Sequence, residues 1–122
     1  AMQWSVRINE AYQRLKDPLK RAAYLCELRG APINAENNTA MPTEFLMEQM
    51  AWREALEDAK SEADLDTLQA ELDRARVSTL AQIAALLDDT PDAPAAAQQV
   101  RALMFVERFA HDVDVRFDQL GQ

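Results

Sequence analysis

The chain has 122 residues, of which 48% are hydrophobic, and it carries a formal net charge of −8 at pH 7. This length and composition allow one domain with a modest core, and no apolar run is long enough to cross a bilayer. The acidic balance argues against binding to nucleic-acid phosphates, and without a signal-peptide pattern the sequence predicts a cytoplasmic protein that contacts no membrane.

The front of the chain predicts two short helices. Apolar residues three and four positions apart indicate a helix from Ser5 to Leu15. Asp17 is a favourable N-cap and Pro18 suits the first helical position, so a second helix is expected from Leu19 to Arg29. Gly30 then provides a natural C-terminal stop, because glycine readily adopts the left-handed conformation that ends many helices.

Three longer helices are predicted behind a linker. Residues 31–41 are rich in turn-forming residues and have no apolar period. Helices are expected over Pro42 to about Lys60, Asp64 to Asp88, and about Ala95 to Leu120. The last connection, residues 90–94, contains two prolines that interrupt the helical pattern. Short connections between three amphipathic helices predict an all-α fold, an antiparallel three-helix bundle preceded by a shorter helical piece.

Each long helix has an apolar stripe that is expected to face the core. In the middle helix the stripe follows alternating steps of three and four, which is typical of a helix packed against other helices. The three stripes comprise Phe45, Gln49, Trp52, Leu56 and Ala59 in the first helix, Leu65, Leu68, Leu72, Ala75, Thr79, Ile83 and Leu86 in the second, and Gln99, Leu103, Val106, Ala110, Val113 and Phe117 in the third.

The first of these helices has a second face with surplus apolar residues. At about 100° per residue this face spans an arc of about 140° and points about 170° away from the core stripe. It comprises Leu46, Met47, Met50, Ala51, Glu54 and Asp58. Phe105 of the last helix projects about 120° from its own stripe, on a flank that an antiparallel bundle would place beside this face. The pattern leaves two interpretations open: a partner site, or residues that are simply exposed or packed against the front helices.

Three segments of the chain resemble one protein family. The segment FLMEQMAWREAL, Phe45 to Leu56, is similar to the start of the C-terminal domain of HscB-type J-protein co-chaperones, which serve iron–sulfur cluster assembly. The segment INEAYQRLKDPLKRAAYL, Ile8 to Leu25, looks like the end of a J domain, and QQVRALMFVERF resembles the last helix of the family. The segments follow the order of the family along nearly the whole chain.

The resemblance implies a division of the chain into three parts. Residues 1–30 correspond to the end of a J domain, 31–41 to a linker, and 42–122 to the three-helix scaffold-binding domain. In this family the J domain activates a heat-shock ATPase, HscA, through a His-Pro-Asp tripeptide that is absent from this sequence. We therefore expect an N-terminally truncated chain that keeps the scaffold-binding part and does not itself stimulate the ATPase.

The resemblance also implies the partner and the residues that hold it. The C-terminal domain of the family binds the scaffold protein IscU, on which clusters are built. The implied binding residues are Leu46, Met47, Met50, Ala51, Glu54, Asp58 and Phe105. Ala51 stands where the family has an acid, and Asp58 is shorter than the family's glutamate, so both departures affect the charge offered to a basic partner. The expected protein is a monomeric adaptor that releases its partner readily.

Few residues are available for catalysis. Glu107 and His111 lie four positions apart on one helix, but di-iron bundles need several carboxylates and histidines, and this chain has one histidine. The lone Cys26 excludes an internal disulfide and a multi-cysteine zinc site, and it is expected to be packed in its helix. We therefore expect no enzyme activity, metal or cofactor. Two alternatives remain: a helical module that self-associates through the second face, and a small metal-dependent enzyme.

Overall fold

A computed structural model describes residues 17–34, 38–89 and 91–121 of the chain. Within these ranges the structure is helical and contains no strand, so the all-α prediction is confirmed. The elements are α1 (Pro18–Leu28), α2 (Thr43–Asp58), α3 (Glu62–Ala84), a π-helix (Ala85–Asp89) and α4 (Ala93–Leu120). The predicted helix from Ser5 to Leu15 lies outside the described residues.

Helix α1 has the predicted capping residues at both ends, although each of its bounds lies one residue before the predicted one. The Asp17 carboxylate accepts a hydrogen bond from the backbone N–H of Leu19 at 2.9 Å, and Pro18 occupies the first turn, where its missing N–H needs no partner. Gly30 has φ +81°, the left-handed conformation that is cheap for glycine. Its N–H and that of the next residue donate to carbonyls of the last turn, which is the hydrogen-bond pattern of a Schellman C-cap.

Helices α2, α3 and α4 form the predicted antiparallel bundle. Side chains of α3 and α4 pair in opposite chain directions: Gln69 donates to Asp114, whereas Arg76, further along α3, donates to Glu107, which is earlier in α4. Only residues 59–61 separate α2 from α3, so α2 is also antiparallel to α3 and runs in the same direction as α4.

The predicted stripes of the three helices supply the core of the bundle. The fully or nearly buried residues of this core are Phe45, Trp52, Ala59, Leu65, Leu68, Leu72, Ala102, Val106, Phe109 and Val113. Ala102 and Phe109 lie outside the predicted stripe of α4, whereas Ile83 and Leu103, which belong to the predicted stripes, lie in a second core. Partly buried side chains close its edges, among them Leu56, Ala75 and Ala110. Burial of this set is what makes the helices stable together, because most helical stability in proteins comes from packing of the apolar face.

A second core joins α1 to the bundle. It comprises Ala22, Cys26, Ile33, Ile83, Leu87, Ala96, Ala97, Val100 and Leu103. Cys26 is fully buried in it, as predicted, and burial raises the pKa of its thiol. Helix α1 thus packs against the π-helix and the first half of α4. The division of the chain into a J-domain end (1–30), a linker (31–41) and a three-helix domain (42–122) stays a prediction.

A buried arginine of α4 holds the linker in place. Arg101 is 6% exposed, and its guanidinium donates to the carbonyl oxygens of Ile33 at 2.9 Å, Ala40 at 3.1 Å and Pro32 at 3.4 Å. Burial of a charged group is tolerated when hydrogen bonds replace its water. Arg101 therefore fixes both ends of the linker on α4.

Helices α3 and α4 each begin two residues before the predicted position, because a side chain caps the earlier start. Ser61 accepts a hydrogen bond from the N–H of Asp64 at 3.3 Å, and α3 begins two residues earlier than predicted. Asp92 accepts from the N–H of Ala95 at 3.1 Å, with the same effect on α4. At its other end, the helical segment that contains α3 finishes as the π-helix over Ala85–Asp89.

Candidate protein-docking surface

Helix α2 has one buried and one exposed apolar face. Phe45 and Trp52 are in the core, whereas on the opposite face Met47 is 70%, Met50 72% and Leu46 45% exposed. Six large hydrophobic residues are exposed in the described ranges, and three of them lie within five positions of α2. Such grouping distinguishes this face from the single exposed apolar residues that are normal on protein surfaces.

Small and acidic residues complete the exposed face of α2. Ala51, Glu54 and Asp58 are all exposed and lie on the same side of the helix as the two methionines. A mostly apolar centre with charged residues toward one end resembles the core and rim of a protein interface. The structure therefore brings together six of the seven predicted site residues, and these six form what we call the docking surface.

Phe105, the seventh predicted residue, is partly buried at the flank of the docking surface. Its ring stacks on Phe109, with centroids 5.7 Å apart, and meets Phe45 edge-on at 5.7 Å. Phe109 stacks on Trp52 at 6.4 Å, and Trp52 meets Phe45 edge-on at 5.7 Å. The four rings thus form a closed cycle of contacts that joins α2 to α4, and Phe105 is its outermost member.

Arg53 of α2 contacts the ring of Phe105. Its guanidinium carbon lies 5.5 Å from the centroid of the Phe105 ring, within the range of a cation–π interaction, and the side chain is exposed. Arg53 is absent from the predicted site, because its contact depends on how α4 packs against α2. No pattern within α2 alone reveals it.

The residues considered for metal chemistry do not converge. Glu107 accepts a hydrogen bond from Arg76 at 3.3 Å, while His111 is exposed. Within residues 17–34, 38–89 and 91–121, no three His, Cys, Asp or Glu side chains are placed to hold a metal ion. None of the helices in these ranges is both long and apolar enough to span a bilayer.

Comparisons with known proteins agree with the fold and confirm the resemblance. Residues 41–114 match the family model described as the HSCB C-terminal oligomerisation domain. A co-chaperone protein HscB homolog from Burkholderia mallei is 54% identical over 123 residues, which cover 98% of this chain and 70% of that relative. Homologs of the same description from Burkholderia thailandensis and Ralstonia nicotianae are 52% identical with the same coverage. The chain belongs to the HscB family of co-chaperones.

Proposed function

We propose that the docking surface binds an IscU-type scaffold protein of iron–sulfur cluster assembly, which the co-chaperone delivers to an HscA-type heat-shock ATPase in the cytoplasm. The observation that carries this proposal is the exposure of Leu46, Met47 and Met50 together on one helix. Grouped apolar side chains of this size mark interaction sites. Membership of a co-chaperone family supports the proposal, because a co-chaperone must hold a client or a chaperone.

The proposal assigns different tasks to the two ends of the chain. Residues 42–122 would form the scaffold-binding domain, with residues 31–41 as the linker that Arg101 holds. Residues 1–30 would be the end of a J domain, through which the co-chaperone contacts the ATPase. The packing of α1 on α4 supports a fixed relation between these parts, because one buried core includes residues of both.

The composition of the docking surface suits a partner that is held and then released. Burial of Leu46, Met47 and Met50 contributes about 1.5–3 kcal/mol per side chain, which is at most about 9 kcal/mol. Association costs about 4–15 kcal/mol in lost translational and rotational freedom. The net affinity is therefore modest. Glu54 and Asp58 would chiefly speed the encounter with a basic partner and align it.

The methionine side chains of the docking surface provide the test of this proposal. We expect Met47→Ala with Met50→Ala to weaken binding to purified IscU-type scaffold, measured by titration calorimetry, by about tenfold or more. The melting temperature should change little, because both side chains are exposed. Val77→Ala is the matched control, since Val77 is 66% exposed on α3 and outside the docking surface. An unchanged affinity of the double variant would refute the proposal.

Self-association through the docking surface is a second candidate function. The matching family model is described as an oligomerisation domain, and an exposed apolar helix face can pair with a copy of itself. Sedimentation velocity at increasing protein concentration separates the two functions. A chain that stays monomeric favours scaffold binding, whereas a dimer that Met47→Ala with Met50→Ala dissociates favours self-association.

A further inference from the structure

Two grooves of opposite net charge flank the docking surface. The negative groove lies between α2 and α3 and encloses about 650 Å³, and its charged residues are Glu44, Glu48, Glu71 and Arg74. The positive groove lies between α2 and α4 and consists of two adjoining cavities of about 360 and 400 Å³. Its charged residues are Arg53, Arg108, Arg116, Glu57 and Asp112. Three carboxylates oppose one guanidinium in the first groove, and three guanidiniums oppose two carboxylates in the second.

Both grooves are continuous with the predicted binding residues. Ala51 lines the negative groove, and Phe105 lines the positive groove. A protein that covers the exposed methionines would therefore also extend over the mouths of both grooves. The charged residues of both grooves would then contribute to partner recognition, because charges at the edge of an interface orient the partner.

The positive groove also holds a buried donor that lacks an acceptor. The Nε of Arg116 is buried without a hydrogen-bond partner among the described residues, and its Nη2 reaches the carbonyl of Ala59 only at 3.4 Å. Burial keeps this N–H itself from a partner, but the side chain of Arg116 is only partly buried and lines the groove, and a carboxylate is the group that best matches a guanidinium. Arg53 offers a second guanidinium in the same groove, already held against the Phe105 ring.

We propose that the two grooves determine the direction in which the partner lies across α2. The partner presents a basic segment to Glu44 and Glu48, apolar side chains to the docking surface, and a carboxylate to Arg53 and Arg116. A partner rotated by 180° would place its basic segment at the positive groove and its carboxylate at the negative groove. The repulsion between like charges in both grooves disfavours this reversed complex. This inference rests on the proposed function, because it takes the scaffold protein as the partner.

Photo-crosslinking from each groove tests this direction. The crosslinking residue p-benzoylphenylalanine replaces either Ser78, which lines the negative groove, or Gln119, which lines the positive groove, and the chain is mixed with purified IscU-type scaffold. We expect two different scaffold segments, with Lys and Arg in the one captured from Ser78 and Asp or Glu in the one captured from Gln119. Capture of the same segment from both positions, or of segments with the reverse charges, would overturn the inference.

Charge reversal in the positive groove provides a kinetic test. Arg53→Glu with Arg108→Glu should slow association with the scaffold by about tenfold at low ionic strength and by much less at about 0.5 M salt. Lys20→Glu with Arg21→Glu is the matched control, because it changes the net charge equally on exposed positions of α1. An equal effect of the control would show that only net charge matters and would overturn the inference. Failure of the proposed function would differ, since the unmodified chain would then not bind the scaffold.

Discussion

Phe105 stacks on Phe109 with 5.7 Å between the ring centroids and 15° between the ring planes. Phe109 is 5% exposed, so a residue predicted for partner binding also packs directly on the core. The exposed methionines of α2 have no comparable role, because their side chains point away from the bundle. We therefore expect substitution of Met47 or Met50 to leave the stability of the protein nearly unchanged and substitution of Phe105 to reduce it.

Phe105→Ala should lower the free energy of unfolding by about 1–3 kcal/mol, less than the ~3–5 kcal/mol typical of a fully buried phenylalanine. The loss arises because the variant removes the ring contacts of Phe105 with Phe45 and Phe109. Phe105→Leu retains part of the packing and should cost about 1.5 kcal/mol or less. Urea denaturation measures both values. An unchanged unfolding midpoint for Phe105→Ala would show that the ring contacts of Phe105 do not stabilise the protein.

Arg101→Met should destabilise the protein by about 2–4 kcal/mol, because it removes the donor to the carbonyl groups of Pro32, Ala40 and the buried Ile33. The linker amides of residues 31, 33, 34 and 38–40 should also exchange hydrogen faster, which mass spectrometry can follow. Arg101→Lys is a useful comparison, since a compact ammonium cannot reach three separated carbonyls as a guanidinium does. If Arg101→Met changes neither stability nor exchange, Arg101 does not hold the linker.

The stability of the start of α3 should depend on pH through Asp64. The N–H of Lys60 donates to the Asp64 carboxylate at 3.0 Å, and this hydrogen bond lowers the pKa of Asp64 below its usual value. Because the folded pKa is below that of the unfolded chain, near ~3.9, the stabilisation is fully present above that value and is lost as pH falls through the folded pKa. Asp64→Asn should therefore destabilise at about pH 6 and have a smaller effect at about pH 3. If Asp64→Asn lowers the free energy of unfolding by the same amount at both pH values, this role of Asp64 is contradicted.

The thiol of Cys26 should react slowly in the folded protein. It is fully buried and its pKa is raised by burial, so both access and the thiolate fraction are reduced. Reaction with a colorimetric disulfide reagent at about pH 8 should be fast only in urea, and no other cysteine contributes to the signal. Arg101→Met should accelerate the reaction if loss of the linker contacts loosens α1. Rapid modification of the folded, unmodified chain would show that the second core opens readily.

The helices and their core stripes can be predicted from the sequence, because helix ends and apolar periods are determined by residues close together along the chain. Asp17 and Gly30 carry local signals for the ends of α1, and the apolar period of α3 identifies Leu65 and Leu72 as buried. Boundary errors of two residues arise where Ser61 and Asp92 cap the next helix, since several nearby polar residues compete for that role.

The features that the sequence does not reveal depend on distant contacts. The acceptors of Arg101 lie in the linker, and nothing around that residue indicates that its charge is buried. Likewise, the exposed face of α2 is predictable from its own period, whereas the position of Arg53 over Phe105 requires the packing of two helices. The π-helix after α3 also has no local signal that distinguishes it from an ordinary last turn.

NMR spectra of methyl-labelled methionine offer the most direct test of the docking surface. Met47 and Met50 are exposed on it, whereas Met41 and Met104 are partly buried against the two cores and serve as internal controls. On addition of purified IscU-type scaffold, the methyl signals of Met47 and Met50 should shift and become protected from a soluble paramagnetic agent, while those of the controls stay in place. Bound scaffold with unchanged Met47 and Met50 signals would contradict the proposed docking surface.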